Sequence, residues 1–583
     1  MPIVNWITQD NQHRSPNESS ERTENLYTEV VPGGKSQKIL IGCPGSTTYT
    51  KVPLSSFSLL TIQGSGQDPN IVTINTSTAH NLSVGQVFNI TGTTNYNEIN
   101  MVVVSVPSTT KFTYSTSSNT QFVAETVGNI TPTGESPFVT VDPKASCRGL
   151  HTTATGRVFT VYESQLFEVL NGGTYLSRGS VAAGISQISM ADDGLTLVIV
   201  DGTSMFNYTL ATNYLLNITS TITGFSNPTK VVFSNQRIVC INNDPSTQNF
   251  NKFFWCEILD ADNWPALNFA SAESSADPII GMEVSDGNLW FFGPKSYEVW
   301  RPGSNPDLPF NKVGGTGTEI GCTAPNSIST ISSKVFFIGS SRAGNNVIFG
   351  SNGLGVDRIS THSIETQLEE ASTTDDAISF TYQQSGHTFY VLTLVTANKT
   401  FVYDLTTNEW HVRTTRAPNT NEDNRYDPIF STFAFGKVLV GTLSNARLLT
   451  LDLEKYTEWD GRPIVRLHQG PIYFDNYQTQ FHREFVIDIE TGVGQNLGEP
   501  YSSGIQTNQG YNPQIMLQYS DDSGHTWGNE LWTDLGKAGE YTTRARWRRL
   551  GRARNRVYRM VVSSPNKVIV IGARLTTDTS VDP

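Results

Sequence analysis

Apolar, β-branched and aromatic residues along this chain gather into short runs, set in pairs across polar turns. Between about residue 150 and residue 455 the paired run recurs at Arg157–Leu170, Leu195–Leu210, Arg237–Ile258, Asn288–Trp300, Lys334–Ile359, His387–Arg413 and Lys437–Leu453. Successive copies start roughly 40 to 55 residues apart, the period of four-stranded propeller blades. The pattern predicts an all-β chain with a β-propeller of about six to seven blades over residues 136–464. A strand exchanged from the amino-terminal lead would close its ring of blades.

The rhythm differs on either side of this region. Residues 1–63 form a polar lead, expected to pack on the body, with a strand and turn at Ile39–Gly45. A Gly/Ser/Asp/Pro break at Gly64–Pro69 opens residues 64–135, where IVTINTS, QVFNITG, MVVVSV and KFTYSTS alternate apolar with polar positions. Such alternation reads as short strands of a separate small β domain, inserted where a surface loop tolerates one. Residues 465–583 carry longer strands at Glu484–Glu490, Gln514–Tyr519, Arg556–Ser563 and Lys567–Leu575. They predict a C-terminal β-sandwich-like domain with a long loop at Gly492–Asn512. Helix is scarce: Thr361–Glu370 is the best segment, with Thr361 as cap and Ile364 and Leu368 on one face.

Composition agrees with many short strands: 16% charged residues, 10% aromatics and abundant turn formers. The net charge of -13 argues against wrapping nucleic acid, which asks for a basic surface. Cys43, Cys147, Cys240, Cys256 and Cys322 form no C-x-x-C pair, so free buried thiols from a reducing cytoplasm are expected rather than a disulfide framework or a zinc ribbon. The first residues lack the basic and apolar regions of a signal peptide, and no run approaches the ~18 apolar residues of a membrane span.

Two local motifs stand out. Ser520, Asp522, Gly524, Thr526 and Trp527 fit S-x-D-x-G-x-T-W, an Asp-box hairpin in which the carboxylate caps turn amides and glycine takes a positive φ. A single copy outside the blades is a structural device. Arg544, Arg546, Arg548, Arg549, Arg552, Arg554, Arg556 and Arg559 lie in one stretch free of acidic residues. As a strand, Arg544, Arg546 and Arg548 would share a face opposite Ala545 and Trp547. The cluster is expected to be a subunit interface, contact with DNA being less suited to a conduit.

No catalytic set emerges. Val31–Ser36 lacks the first glycine of a phosphate-binding loop, and the histidines form no H-E-x-x-H or Cys/His cluster. The acid pairs Asp192-Asp193, Glu369-Glu370, Asp375-Asp376 and Asp521-Asp522 fall in predicted turns or at a helix end. The chain is expected to be no enzyme and to hold no cofactor or metal. The competing reading is a carbohydrate-binding or glycosidase-type propeller, with Trp290, Trp300 or Trp410 as stacking platforms.

Several phrases, in order, resemble the tail-hub or packaged-DNA stabilisation (nozzle) family of short-tailed phages. They are Arg22…Asn25-Leu26-Tyr27…Glu29 before Gly42-Cys43-Pro44-Gly45, Gly350–Glu365 with its Val356-Asp357-Arg358-Ile359-Ser360-Thr361 core, and Phe401–Trp410. The last is Leu517–Trp527 with Trp547–Arg554. Residues 64–135 fall outside the resemblance. It implies a virion tail protein, assembled in the host cytoplasm as a homo-oligomeric, hexameric ring below the portal-adaptor ring. Its further partners would be tail needle, fibre or tailspike proteins. Such a ring would retain packaged double-stranded DNA and conduct it during ejection, without inserting into a membrane itself.

Overall fold

The structure, a computed structural model, describes residues 3–4, 6–50, 57–65, 68–76, 87–108, 110–115, 124–133, 144–221, 227–242, 250–272, 277–316, 319–341, 344–417, 422–475, 478–495 and 510–579. Seven β-sheets stand around a ring. Blades 1 to 4 span Cys147–Ser180, Ser189–Asn217, Pro228–Ser271 and Gly281–Lys312, each an antiparallel sheet of four strands taken in chain order. Blade 5 runs from Ile320 to Arg358 and is followed by the helix His362–Glu370. Blade 6 starts at Ile378–Gln384, and blade 7 holds Pro428–Ala434, Lys437–Thr442 and Leu448–Asp452. The first strands pack blade to blade, and Pro428–Ala434 of blade 7 meets Cys147–Thr152 of blade 1, so the ring is closed.

Closure comes from the lead. Gly45–Thr48 is the fourth strand of blade 7, with Thr48 opposite Leu449 and Gly45 opposite Asp452. The Thr47 and Thr450 hydroxyls meet at 2.7 Å across 403 residues of chain. Gly45 is required by space: a Cβ there would lie 2.5 Å from the Thr457 carbonyl oxygen.

The second and third strands of each blade are buried on both faces. Val158–Tyr162, Thr196–Val200 and Arg237–Asn242 are buried throughout. This is why they read as continuous apolar runs rather than alternating ones. The first strands are stitched by hydroxyls instead. Ser189 Oγ donates to Val231 O at 3.2 Å, Thr381 Oγ1 to Thr330 O at 3.0 Å, and Ser431 Oγ to Thr381 O at 2.6 Å. Thr152 and Thr432 join blades 1 and 7 at 2.6 Å. These bonds satisfy polar groups along the inner wall and hold neighbouring blades in register.

Residues Phe57–Thr133 form a closed six-stranded antiparallel barrel around Ile62, Val72, Ile74, Phe88, Ile90, Phe112 and Tyr114. The Gly64–Pro69 break is not a boundary. The strands on either side of it, Phe57–Ser65 and Asp68–Thr76, pair antiparallel within the barrel. The helix appears where its pattern placed it: Thr361 Oγ1 accepts from Ile364 N at 3.4 Å, and Ile364 and Leu368 are buried.

The lead does more than pack on the body. Ser20–Glu24 pairs in parallel with Glu409–Val412 of blade 6 and antiparallel with Arg466–Gln469. One sheet therefore runs from blade 6 into the C-terminal sandwich, through Asn555–Val562 and Gln514–Ser520 to Leu531–Asp534. Leu26–Val30 and Lys38–Gly42 join the facing sheet with Ile569–Thr579, Gln480–Ile489 and Ala545–Arg548. Between the sheets lie Trp6, Leu26, Leu40, Phe485, Leu517, Tyr558 and Met560, with Phe485 and Tyr558 stacked at 4.2 Å. Of the Gly492–Asn512 loop, residues 496–509 lie outside the described residues.

Buried titratable groups brace the closure. Ser46 Oγ, on the closing strand, donates to Glu458 Oε2 at 3.2 Å, and burial pushes the Glu458 carboxyl up to about 7. His468 bonds the Trp6 carbonyl at 2.7 Å and the Thr23 hydroxyl at 3.0 Å, and burial holds it down at about 4.

Gly45→Val should cost about 1–3 kcal/mol by overpacking against the Thr457 carbonyl, read as a lowered midpoint in denaturant unfolding. Because Glu458 favours its neutral form when folded, its contribution is full below about pH 4.5 and is lost as pH rises through about 7. Glu458→Gln should therefore melt above the wild type at pH 8, with the gap closing toward pH 4.5. His468 works in the opposite sense: its contribution is present above pH 6.5 and lost as pH falls toward about 4. Acid melting curves of His468→Gln should be flatter than those of the wild type across that window.

Candidate functional site

The arginine stretch divides between water and core according to strand register. In Ala545–Arg548, Ala545 and Trp547 face the sandwich core while Arg546 and Arg548 face solvent. Trp547 Nε1 fixes the strand by donating to Leu531 O at 2.9 Å. Arg544 is exposed just before it, and Arg549 turns the chain with φ +60°. Arg552 and Arg554 are also exposed, so six arginines of this one stretch of the sandwich face water.

Glu484, on the adjoining strand, lies 3.0 Å from Arg548 Nε, 3.7 Å from Arg546 Nε and 3.5 Å from Arg574 Nη2. The Arg548 hydrogen bond and the charges around it hold the Glu484 carboxyl below its ordinary value. With Glu484 facing three arginines and Asp578 paired with Arg483, the surface keeps a basic excess. A shallow groove crosses it, lined by Phe481, Arg483, Glu484, Arg548, Arg549 and Thr576.

Arg556 and Arg559 are placed elsewhere. In Asn555–Val562 the even positions face the core, so Arg556 stands in line with Tyr558, Met560 and Val562 and is buried. Its Nε and Nη2 donate to the two Asp521 oxygens at 2.6 and 2.8 Å, and Nη1 donates to Leu550 O at 2.5 Å. The guanidinium lies 4.1 Å over the Tyr519 ring. Burial works to lower its pKa, but the Asp521 partnership outweighs it and raises the value. Arg559 faces the other side, donating to Gln518 Oε1 at 2.6 Å and lying 3.8 Å over Trp527, and burial brings it down to about 10.

The Asp-box hairpin fastens this arrangement. Ser520 Oγ donates to Asp522 Oδ1 at 2.6 Å and accepts from Gly524 N at 2.8 Å. Asp522 accepts from Thr526 N at 2.8 Å and Thr526 Oγ1 at 2.5 Å, which holds its carboxyl far below the ordinary range. Ser523 and Gly524 both take positive φ, +62° and +98°. Trp527 is half-buried, with the Arg559 guanidinium over its ring. Asp521, read from sequence as a turn acid, is the bidentate partner of Arg556. The signal for that pair was an arginine at a core-facing position of a strand.

Other candidates resolve as scaffold. Trp290, Trp300 and Trp410 are 1%, 7% and 2% exposed, so none offers a face to a sugar. Asp192 accepts from Ala154 N and meets His151 at 2.8 Å, Asp193 caps Leu195 and Thr196, and Asp376 accepts from Thr396 N. All five cysteines are free and buried. Among the described residues no group of His, Cys, Asp and Glu is placed to hold a metal ion, and no helix is long and apolar enough to cross a membrane.

The family described as bacteriophage P22 Gp10, beta-propeller, matches residues 107–456, and that described as bacteriophage P22 Gp10, beta-sandwich, matches residues 466–578. Among curated proteins none matches. Similar solved structures include PorZ of the type-IX secretion system of Porphyromonas gingivalis, at 9% identity and TM-score 0.32 over 53% of this chain and 37% of that one. A chain of the mitotic checkpoint complex matches at 10% identity and TM-score 0.34, over 55% of this chain and 97% of that one. Neither likeness bears on function. The matches to both P22 Gp10 domains span the blades and the sandwich, and the chain belongs to that family of phage tail structural proteins.

Proposed function

We propose that this chain is a non-enzymatic hub or nozzle of a short phage tail, a hexameric ring below the portal-adaptor that retains packaged DNA and conducts it at ejection. The observation that carries the reading is the family match over both propeller and sandwich. A conduit for a duplex would be a lumen shared by several copies. The net charge of -13 keeps most of such a surface from gripping phosphate.

The exposed arginines Arg544, Arg546, Arg548, Arg549, Arg552 and Arg554 are the contact offered to an acidic surface of a neighbouring copy or of the adaptor. Arg556 and Arg559 serve that contact only by holding the hairpin and strand in place.

Light scattering on the purified chain, alone and mixed with the adaptor ring, tests the reading. A ring mass, or a monomer converted to a ring by the adaptor, is expected; a monomer indifferent to the adaptor would overturn it. Reversing Arg544, Arg552 and Arg554, which lie outside the Glu484 pairing, to Glu should abolish the ring mass while leaving the monomer melting temperature unchanged. Arg556→Ala should instead destabilise the sandwich by about 1–3 kcal/mol, because it empties a core-facing position and leaves Leu550 O without its donor, while the half-exposed Asp521 carboxylate returns to water.

A further inference from the structure

The turns at one end of blades 3 and 4 leave apolar side chains in water. In an antiparallel sheet whose four strands follow chain order, the first and third turns lie at the same end. In blade 3 these are Asn235-Gln236 and residues 256–268; in blade 4 they are Asp286-Gly287 and residues 303–309. Three hydrogen bonds draw the segments together. Leu259 N donates to Gln236 O at 2.9 Å, Asn235 Nδ2 to Pro309 O at 3.2 Å, and Asn268 Nδ2 to Glu257 Oε1 at 3.3 Å. Around them Ile258 is 54% exposed, Leu259 45% and Leu267 85%, and Phe233 and Leu308 also reach water. Single exposed apolar residues are ordinary, but five on one set of bonded turns make a patch of the kind that meets another surface.

The rim of the patch is acidic. Asp260, Asp262, Asp286 and Asp307 are exposed in these turns, and the first strands of the two blades lie side by side, which brings Asp286 to the same rim. Of the two arginines in or beside the turns, Arg237 is buried, its Nη1 donating to Cys256 O at 2.7 Å and Glu257 Oε2 at 3.1 Å. Arg301 is left as the exposed cation against four aspartates. The sandwich shows the opposite combination. Phe481 is 44% exposed in the groove with Arg548 and Arg549, and Arg552 stands across from it on the neighbouring strand. Two such arginine surfaces do not suit each other, because a symmetric contact would set like charges face to face.

We propose that the patch on blades 3 and 4 is the docking surface for the Phe481 groove and its arginines on a second copy of this chain. The proposal rests on the ring reading above: joining two different surfaces of one chain is a head-to-tail contact, the kind that generates a ring when its rotation closes. Apolar contact with Phe481 supplies a dry centre, and aspartates facing Arg549 and Arg552 fix the orientation.

The test is a charge exchange in the full chain, read by light scattering over a range of concentrations, with the adaptor ring present if assembly needs it. Asp260 and Asp307 serve their turns through the backbone, Asn263 N donating to Asp260 O at 3.2 Å and Asp307 N to Asn305 Oδ1 at 3.0 Å. Replacing their carboxylates therefore spares the fold. Asp260→Arg with Asp307→Arg should raise the concentration for half-assembly about tenfold or more, and so should Arg549→Glu with Arg552→Glu. A chain carrying all four substitutions should recover the ring, because each surface again faces its opposite. Hydrogen exchange on the wild-type ring and monomer decides the matter even where a variant fails to fold: amides of residues 256–268 and 545–553 should both slow in the ring. Assembly indifferent to the aspartate substitutions, a combined chain that stays monomeric, or no added protection at residues 256–268 would each overturn this surface while the ring reading stands. A wild-type chain that forms no ring, alone or with the adaptor, would overturn both.

Discussion

The pairing of Gly45–Thr48 with Leu448–Asp452 is the contact on which the rest of the molecule depends. A propeller whose blades are made only from consecutive strands can open between its first and last blades. Here the last blade is completed by chain lying about four hundred residues earlier, so opening the ring means stripping a strand from a sheet. Loop entropy grows only logarithmically with separation, so the distance in sequence adds little cost once the blades are formed. It does raise the contact order of the fold, which slows folding.

The same lead then ties propeller to sandwich. Its strand Ser20–Glu24 lies between blade 6 and Arg466–Gln469, and its hairpin Leu26–Gly42 enters the opposite sheet. The two family domains are thus joined by shared hydrogen-bonded sheet rather than a linker. Shared sheet makes that junction stiff. It also concentrates polar groups at a buried junction, where Asp10, Glu458, His411, His468, Arg413 and Arg466 are all removed from water. Each is kept in the form its surroundings tolerate: neutral imidazoles, carboxyls pushed toward neutrality, and guanidinium groups that cannot give up their charge.

Charge is divided by location. The arginine stretch of an acidic protein splits along the two-residue period of strands: positions facing out make a basic surface, and positions facing in become structural. Arg556 shows the second case, a cation accepted in a core because Asp521, Leu550 O and the Tyr519 ring meet it together. The hairpin that presents Asp521 is the Asp box, which gives that motif a task beyond its own turn.

Each of the repeated runs in the sequence is the buried middle of a blade, because strands covered on both faces must be apolar throughout. That requirement made Val158–Val169 or Leu289–Trp300 visible without any structure. The long alternating strands of the sandwich, the capped helix at Thr361 and the Asp-box hairpin were legible for the same kind of local reason. Inner strands were not, since Ser189, Thr330, Thr381 and Ser431 look like turn residues until the neighbouring blade supplies their partners. Nor could local pattern tell that the strands on either side of Gly64–Pro69 pair within one barrel, or that Arg556 faces inward while Arg554 faces out. The sequence by itself determined the class of fold and the family, because burial on two faces leaves a mark on every residue of a strand. Tertiary structure alone decided ring closure, the weaving of the lead and the fate of each arginine, because these depend on contacts between residues hundreds of positions apart.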